Sequence, residues 1–356
     1  MITADHLRRA VAEGIITEIQ AAALDRLSRA NPGPEAGLDV PRDDERLRFV
    51  SGFADIFVSL GLFLFLGAAA HFGLSALGPA PGYALIAALA WGLAEFFTRR
   101  RRMALPSLVL LVVFALAVQS AAAFALAGPG RAGASWPTLL DLTADPRLGP
   151  LPLIGGALAT LALVTLHYRR FAVPITVAAG AAALCALVFG LLLAVAPDLT
   201  RAGRNGLFIA AGLGVFALAM RFDLSDPARV TRRTDIAFWL HLLAAPLIVH
   251  PILGGLTAGG GPAATLGVLA IVLGLAGIAL AVDRRALLVS GLVYAGLALS
   301  ALVREAGFSG STVPASLLTL GAFILVLSAG WHPLRALILR ALPQPLAARL
   351  PHPIGA

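Results

Sequence analysis

The sequence predicts an all-α, polytopic transmembrane helical bundle of about ten spans, preceded by a small cytoplasmic helical hairpin. Two observations carry the class. Hydrophobic residues make up 59% of the 356 positions and charged residues only 13%, about half the charged share of a soluble domain. The charges also sit in short clusters between apolar runs, as expected for bilayer-spanning helices joined by tight loops. A third observation sets orientation. All 27 basic residues are arginine. With the amino terminus inside, 22 of those 27 fall on the cytoplasmic side, as the positive-inside rule requires.

The elements follow in order. Residues 1–30 read as a helical hairpin. Leu7, Val11 and Ile15 share one helical face, and Gly14 offers a stop. Thr17 and Gln20 have capping-box spacing, and Ile19, Ala23, Leu24 and Leu27 form the second apolar stripe. So small a hairpin buries little by itself, so it is expected to dock on the membrane domain or on a cytoplasmic protein partner. Residues 31–50 are an acidic linker containing Pro and Gly. The membrane domain, 51–332, holds apolar runs at about 54–77, 82–97, 104–127, 150–167, 172–196, 206–220, 236–253, 263–282, 286–303 and 312–332. Gly206, Ala210 and Gly214, and likewise Gly291 and Ala295, offer small-residue faces for close helix packing. Residues 333–356 form a cytoplasmic tail. Its start places Leu334, Leu337, Ile338, Ala341 and Leu342 on one arc with Arg335 and Arg340 beside it, an amphipathic helix suited to anionic lipid.

The chemistry is easier to exclude than to assign. The net charge of +8 does not point to nucleic acid, because residues 1–49 hold seven arginines against nine acidic residues and the excess base lies beside the spans. Cys185 is the only cysteine, so an internal disulfide is impossible. The first residues lack the charged-then-apolar order of a cleavable signal, so the first span is expected to direct insertion. Gly128, Gly130 and Gly133 match G-x-G-x-x-G, but Pro129 and a loop setting make this a chance match. No metal or cofactor is expected, since neither an HExxH nor a phosphate-loop lysine is present.

Polar groups within apolar runs are costly in lipid and mark the bundle interior. Asp55, Glu95, His167, Asp235 and His241 fall towards the cytoplasmic side, His71 and His250 towards the periplasmic side, and Gln119 lies deep in the third run. Glu95 is expected to pair within Arg99–Arg102, and Asp55 to be an interfacial residue or a helix cap. Each histidine is open to two readings, a structural hydrogen bond or a ligand or proton-handling role. The densest patch is 221–251, where a loop rich in Asp and Arg enters a run holding Trp239, His241, Pro246 and His250. Asp235, His241, His250, Arg232 and Arg233 are its candidate site residues. Asp235 or Glu95 would be the carboxylate holding His241 charged. The two histidines are nine residues apart and project to opposite sides of a straight helix, which argues against a shared metal.

The opening HLRRAVAEGIITEIQAAALDRL, the acidic linker and the array of short spans resemble a family of bacterial multi-pass inner-membrane proteins carrying a domain of unknown function. The segment DIAFWLHLLAAPLIVHP looks like a recurring motif of its alphaproteobacterial members. The resemblance implies an inner-membrane location and carries no catalytic residues. Three functions remain. The first is a scaffold recruiting a partner through the hairpin. The second is a transporter of a small molecule or lipid built from two five-span halves. The third is an enzyme on a lipid-linked substrate, with Asp235 and His241 as acid and base.

Overall fold

A computed structural model describes residues 4–30, 53–127, 149–226, 231–257, 261–305, 312–347 and 350. Regular structure among them is entirely helical. The expected linker, the Gly128–Gly133 motif and the end of the tail lie outside the described residues.

The hairpin is a compact unit by itself. Helix α1 (Ala4–Ala12) is followed by Gly14 at φ +71°, a left-handed turn that a side chain would strain, and then by α2 (Glu18–Ala30). The capping box forms as its spacing predicts. Thr17 N–H donates to Gln20 Oε1 at 2.9 Å, and Gln20 N–H to Thr17 Oγ1 at 3.3 Å.

The membrane domain is a multi-pass helical bundle. Its helices are α3 (Phe53–Leu77), α4 (Pro79–Ala94, widening into a π-helical turn over Glu95–Arg100), α5 (Ala104–Ala127), α6 (Leu151–Phe171) and α7 (Ile175–Val195). There follow α8 (Arg201–Leu224), α9 (Arg232–Thr257), α10 (Gly261–Val282), α11 (Ala286–Glu305) and α12 (Thr312–Ala329). Helix α13 (Trp331–Ala341) and the short α14 (Gln344–Ala347) end the array. Among the described residues nine helices are long and apolar enough to cross a membrane, and ten if α12 and α13, bent by 71°, count as one broken span. Large apolar side chains such as Phe57, Leu64 and Leu318 stay exposed, as lipid-facing residues must. The first five spans pack sequentially around α5, while α9 is the hub of the second five, touching α8, α10 and α11. The halves meet where α7 lies against α9.

Some sequence expectations shift. Helices α8 and α9 are longer than the apolar runs that announce them, so Arg221–Leu224 and Arg232–Asp235 are helical rather than loop. Apolar content underestimates a span whose polar ends find partners. Gly206, Ala210 and Gly214 do not form the contact face of α8. Ala210 is exposed and Gly206 and Gly214 have open space where a Cβ would be. The close face is Gly212, Val215 and Ala219, with Gly212 so near α9 that a Cβ would sit 2.6 Å from Ile248 Cγ1. Gly291 and Ala295 do pack inward, Gly291 against Leu275 and Val272 of α10. In α13 the buried face is Trp331, Arg335 and Leu339, whereas Leu337 is 65% exposed. Of the expected apolar arc, Leu334, Leu337 and Ala341 face outward while Ile338 packs on the core, and the tail helix is held by protein on its Trp331–Arg335–Leu339 side.

Candidate functional site

At one end of the bundle a cavity of about 480 Å³ opens among α4, α5, α6, the segment before α7, and α9. Arg99, Arg102, Arg170 and Arg232 line it, together with Asp235, Thr98, Ser107 and Trp239. Helix ends bring these groups together. The π-helical turn re-aims the last residues of α4, α6 ends in the Arg169–Arg170 pair, and α9 begins at Arg232. Two wall residues, Arg102 and Ala172, hold left-handed backbone, each at φ 53°. For a residue with a Cβ this costs about 1–2 kcal/mol and must be held by its surroundings. Glu95, just outside the lining, accepts from Arg170 Nε at 2.8 Å and Nη2 at 3.0 Å, and from Arg99 Nη1 at 3.3 Å. Four guanidinium groups thus face two carboxylates, Glu95 and Asp235, and the cavity is cationic.

A second cavity of about 360 Å³ has Trp239 in common with it and is lined by residues further along the same helices. Helices α5 and α9 line both. On α5 the lining passes from Ala104, Ser107 and Leu108 to Leu111, Ala115 and Gln119; Val173 and Pro174, just before α7, line the first cavity and Ile175, Ala178, Ala182 and Ala186 of α7 the second. On α9 it passes from Arg232 and Asp235 through Trp239 to Leu243 and Pro246. These are steps of three and four, one helical face each. Trp239 is a wall of both cavities. Alanines at six positions leave the trough, and the lining residues Val112 and Leu116 are each 44% exposed, so it opens sideways toward lipid. Its polar groups are Gln119 and Thr160, where Thr160 Oγ1–H donates to Gln119 Oε1 at 3.1 Å.

The sequence candidates divide. Arg232 and Asp235 belong to the cationic cavity. Arg233 points to another surface with Leu218, Arg221 and Phe222. His241 lies elsewhere again, wholly buried beside Phe216. The carboxylate that holds His241 is Asp223, at 2.8 Å from Nε2, where Asp235 or Glu95 was expected. Asp223 also accepts from Arg284, through Nε at 3.2 Å and through Nη2 on its other oxygen. A carboxylate can only accept, so His241 Nε2 carries the proton of that bond. Neither Asp223 nor Arg284 stands out in the sequence. Asp223 reads as loop and Arg284 as one of the charges flanking a span, and only the fold carries them to His241. The adjacent Asp283, at φ +59°, accepts from Trp331 Nε1 at 2.7 Å and lies 3.7 Å from Arg335 Nε, so one turn ties α8, α9 and α13 together.

His250 projects away from His241 and hydrogen-bonds the Tyr294 hydroxyl through Nδ1. His167 is boxed by Trp91, Phe114 and Phe171, a packing role, and its Nδ1 is buried without a hydrogen-bond partner among the described residues. His71 is exposed, edge-on to Phe72. Asp55, expected as an interfacial residue or a helix cap, is buried in the first turn of α3. No protein-family model matches the chain, and neither the curated proteins nor the solved structures yield a match to it.

Proposed function

We propose that this membrane protein binds an anionic amphiphile, with the charged head among Arg99, Arg102, Arg170 and Arg232 and the hydrocarbon tail in the trough below. One observation carries the reading: the cationic cavity and the apolar trough share Trp239 and lie along the same faces of α5 and α9. A free inorganic anion would need only the upper cavity, and a neutral lipid only the lower. Guanidinium groups match phosphate oxygens in bidentate geometry, and an indole suits the boundary between polar and apolar zones. The arginine bias supports reading this end as the cytoplasmic face of a bacterial inner membrane with both termini inside, where anionic lipid is abundant.

The test compares the purified protein in nanodiscs of phosphatidylcholine doped with phosphatidic acid or with a neutral diacylglycerol. The protein should retain phosphatidic acid preferentially. Arg102→Gln with Arg232→Gln should weaken it about thirtyfold, taking about 1 kcal/mol per basic residue. Inorganic phosphate should not compete at equal concentration. Equal retention of the two lipids, or full competition by phosphate, would refute the reading.

The site lies where the two five-span halves meet, the position substrates take in repeat-built transporters, and this favours transfer of the amphiphile as the second reading. Scrambling of a labelled anionic lipid in proteoliposomes tests it. Recruitment of a cytoplasmic partner by the hairpin is a separate proposal, supported by the exposed Ile15, Ile19 and Leu24. Deletion of residues 1–45 should abolish capture of that partner while leaving lipid retention intact.

A further inference from the structure

We infer that a second anionic phospholipid binds on the outer face of the bundle, with its phosphate held by Arg221 and Arg233. A pocket of about 380 Å³ lies between the end of α8 and the start of α9, lined by Leu218, Arg221, Phe222, Ser225 and Arg233. The first four follow one another at steps of three and four, so they share one face of α8 and its cap. Arg233 comes from the first turn of α9. Consecutive residues of a helix project about 100° apart, so Arg232 enters the cationic cavity while Arg233 enters this pocket. The pocket shares no lining residue with either cavity of the first site.

The charge in this pocket is uncompensated. Among the described residues two arginines line it and no carboxylate does. Both arginines are exposed, and neither guanidinium has a hydrogen-bond or ion-pair partner among those residues. The acids nearest in sequence are engaged elsewhere. Asp223 is buried with His241 and Arg284, Asp226 accepts from Thr231 and Thr234, and Asp235 lines the cationic cavity. Two like charges in one pocket repel, and an anion between them turns that repulsion into attraction. The Ser225 hydroxyl gives its proton to the Phe222 carbonyl, so the guanidinium forks are the donors left for phosphate oxygens. The rest of the lining selects a lipid over a free ion. Arg221 stands where the apolar stretch of α8 ends, and Leu218, 36% exposed, and the partly buried Phe222 give apolar surface beside it. One turn further into the span Gly214 is exposed, with open space where a Cβ would be. A phosphate at the arginines thus leaves its acyl chain to run along Leu218 and Gly214.

The experiment counts the molecules of labelled phosphatidic acid that the purified protein holds in phosphatidylcholine nanodiscs. Wild type should hold two. Arg221→Gln with Arg233→Gln should hold one, with the other bound about thirtyfold more weakly, the contribution of two basic residues at a membrane surface. That variant should melt with wild type in pure phosphatidylcholine, since neither guanidinium loses a partner. Adding Arg102→Gln and Arg232→Gln should release the remaining molecule. If Arg221→Gln with Arg233→Gln holds as much phosphatidic acid as wild type, the inference falls, whatever happens at the first site. If inorganic phosphate at equal concentration displaces the lipid that this variant loses, the assignment to a lipid falls. If wild type holds a single molecule, lost in this variant but kept in Arg102→Gln with Arg232→Gln, the inference stands and the reading of the two inner cavities falls.

Discussion

Replacing Asp223 by Asn should destabilise the membrane domain more than any single change at the proposed lipid site. Asp223, His241 and Arg284 are each no more than 1% exposed. The carboxylate accepts one bond from His241 Nε2 at 2.8 Å and two from Arg284. Asparagine keeps the shape but removes the charge and turns one acceptor into a donor. The guanidinium then stays buried without that counter-charge, and one amide N–H faces either Arg284, a donor only, or His241, which must change tautomer to accept it. Removing one partner of a buried ion pair costs about 3–5 kcal/mol, or roughly two to three and a half powers of ten in the folding equilibrium. Cys185, the only cysteine, is half-buried, so its reaction with a thiol-sensitive dye on heating in detergent reports unfolding. The Asp223→Asn curve should shift to clearly lower temperature. The triple change Asp223→Leu, His241→Phe, Arg284→Met removes every charge and hydrogen bond of the network together. It should recover much of the loss, since apolar replacement of a whole buried ionic group is often neutral or stabilising. If Asp223→Asn melts with wild type, or the triple variant is worse than the single one, the network is not holding α8, α9 and the α10–α11 turn together.

Three further predictions follow from individual contacts. Gly156→Ala should lower the melting temperature through a clash with Gln119 costing about 1–3 kcal/mol, read in the same thermal assay; an unchanged midpoint would mean α5 and α6 are not in close contact there. Glu95→Gln releases Arg170 and Arg99 from a partly exposed pair, so the melting temperature should hardly move while retention of phosphatidic acid rises; weaker retention would contradict the head-group assignment. A periplasm-active reporter fused after Gly260 should be active and one fused after Arg101 silent, and activity at Arg101 would reverse the orientation.

Much of the architecture is legible in the chain because the bilayer imposes a one-dimensional constraint. A span must be apolar for its whole length whatever it packs against. The runs at 104–127 and 263–282 therefore match α5 and α10 to within two residues. Hairpin capping is equally local, since Thr17 and Gln20 meet through spacing alone. Legibility ends where a span is made of residues that are polar but paired. The ends of α8 and α9 read as loop because Asp223 finds Arg284, 61 positions away.

The sequence by itself determined the helical class, the rhythm of the spans, the arginine bias and which polar residues lie within apolar runs, because each depends only on residue type and spacing. The tertiary structure decided the partners. His241 received Asp223 instead of Asp235, while Asp235 and Arg232 joined Arg99, Arg102 and Arg170 around one cavity. Gln119 met Thr160, 41 residues on, in the wall of the trough beneath. A helix face is fixed by its own sequence, but what that face meets depends on how helices far apart in the chain cross, and no local pattern encodes that crossing.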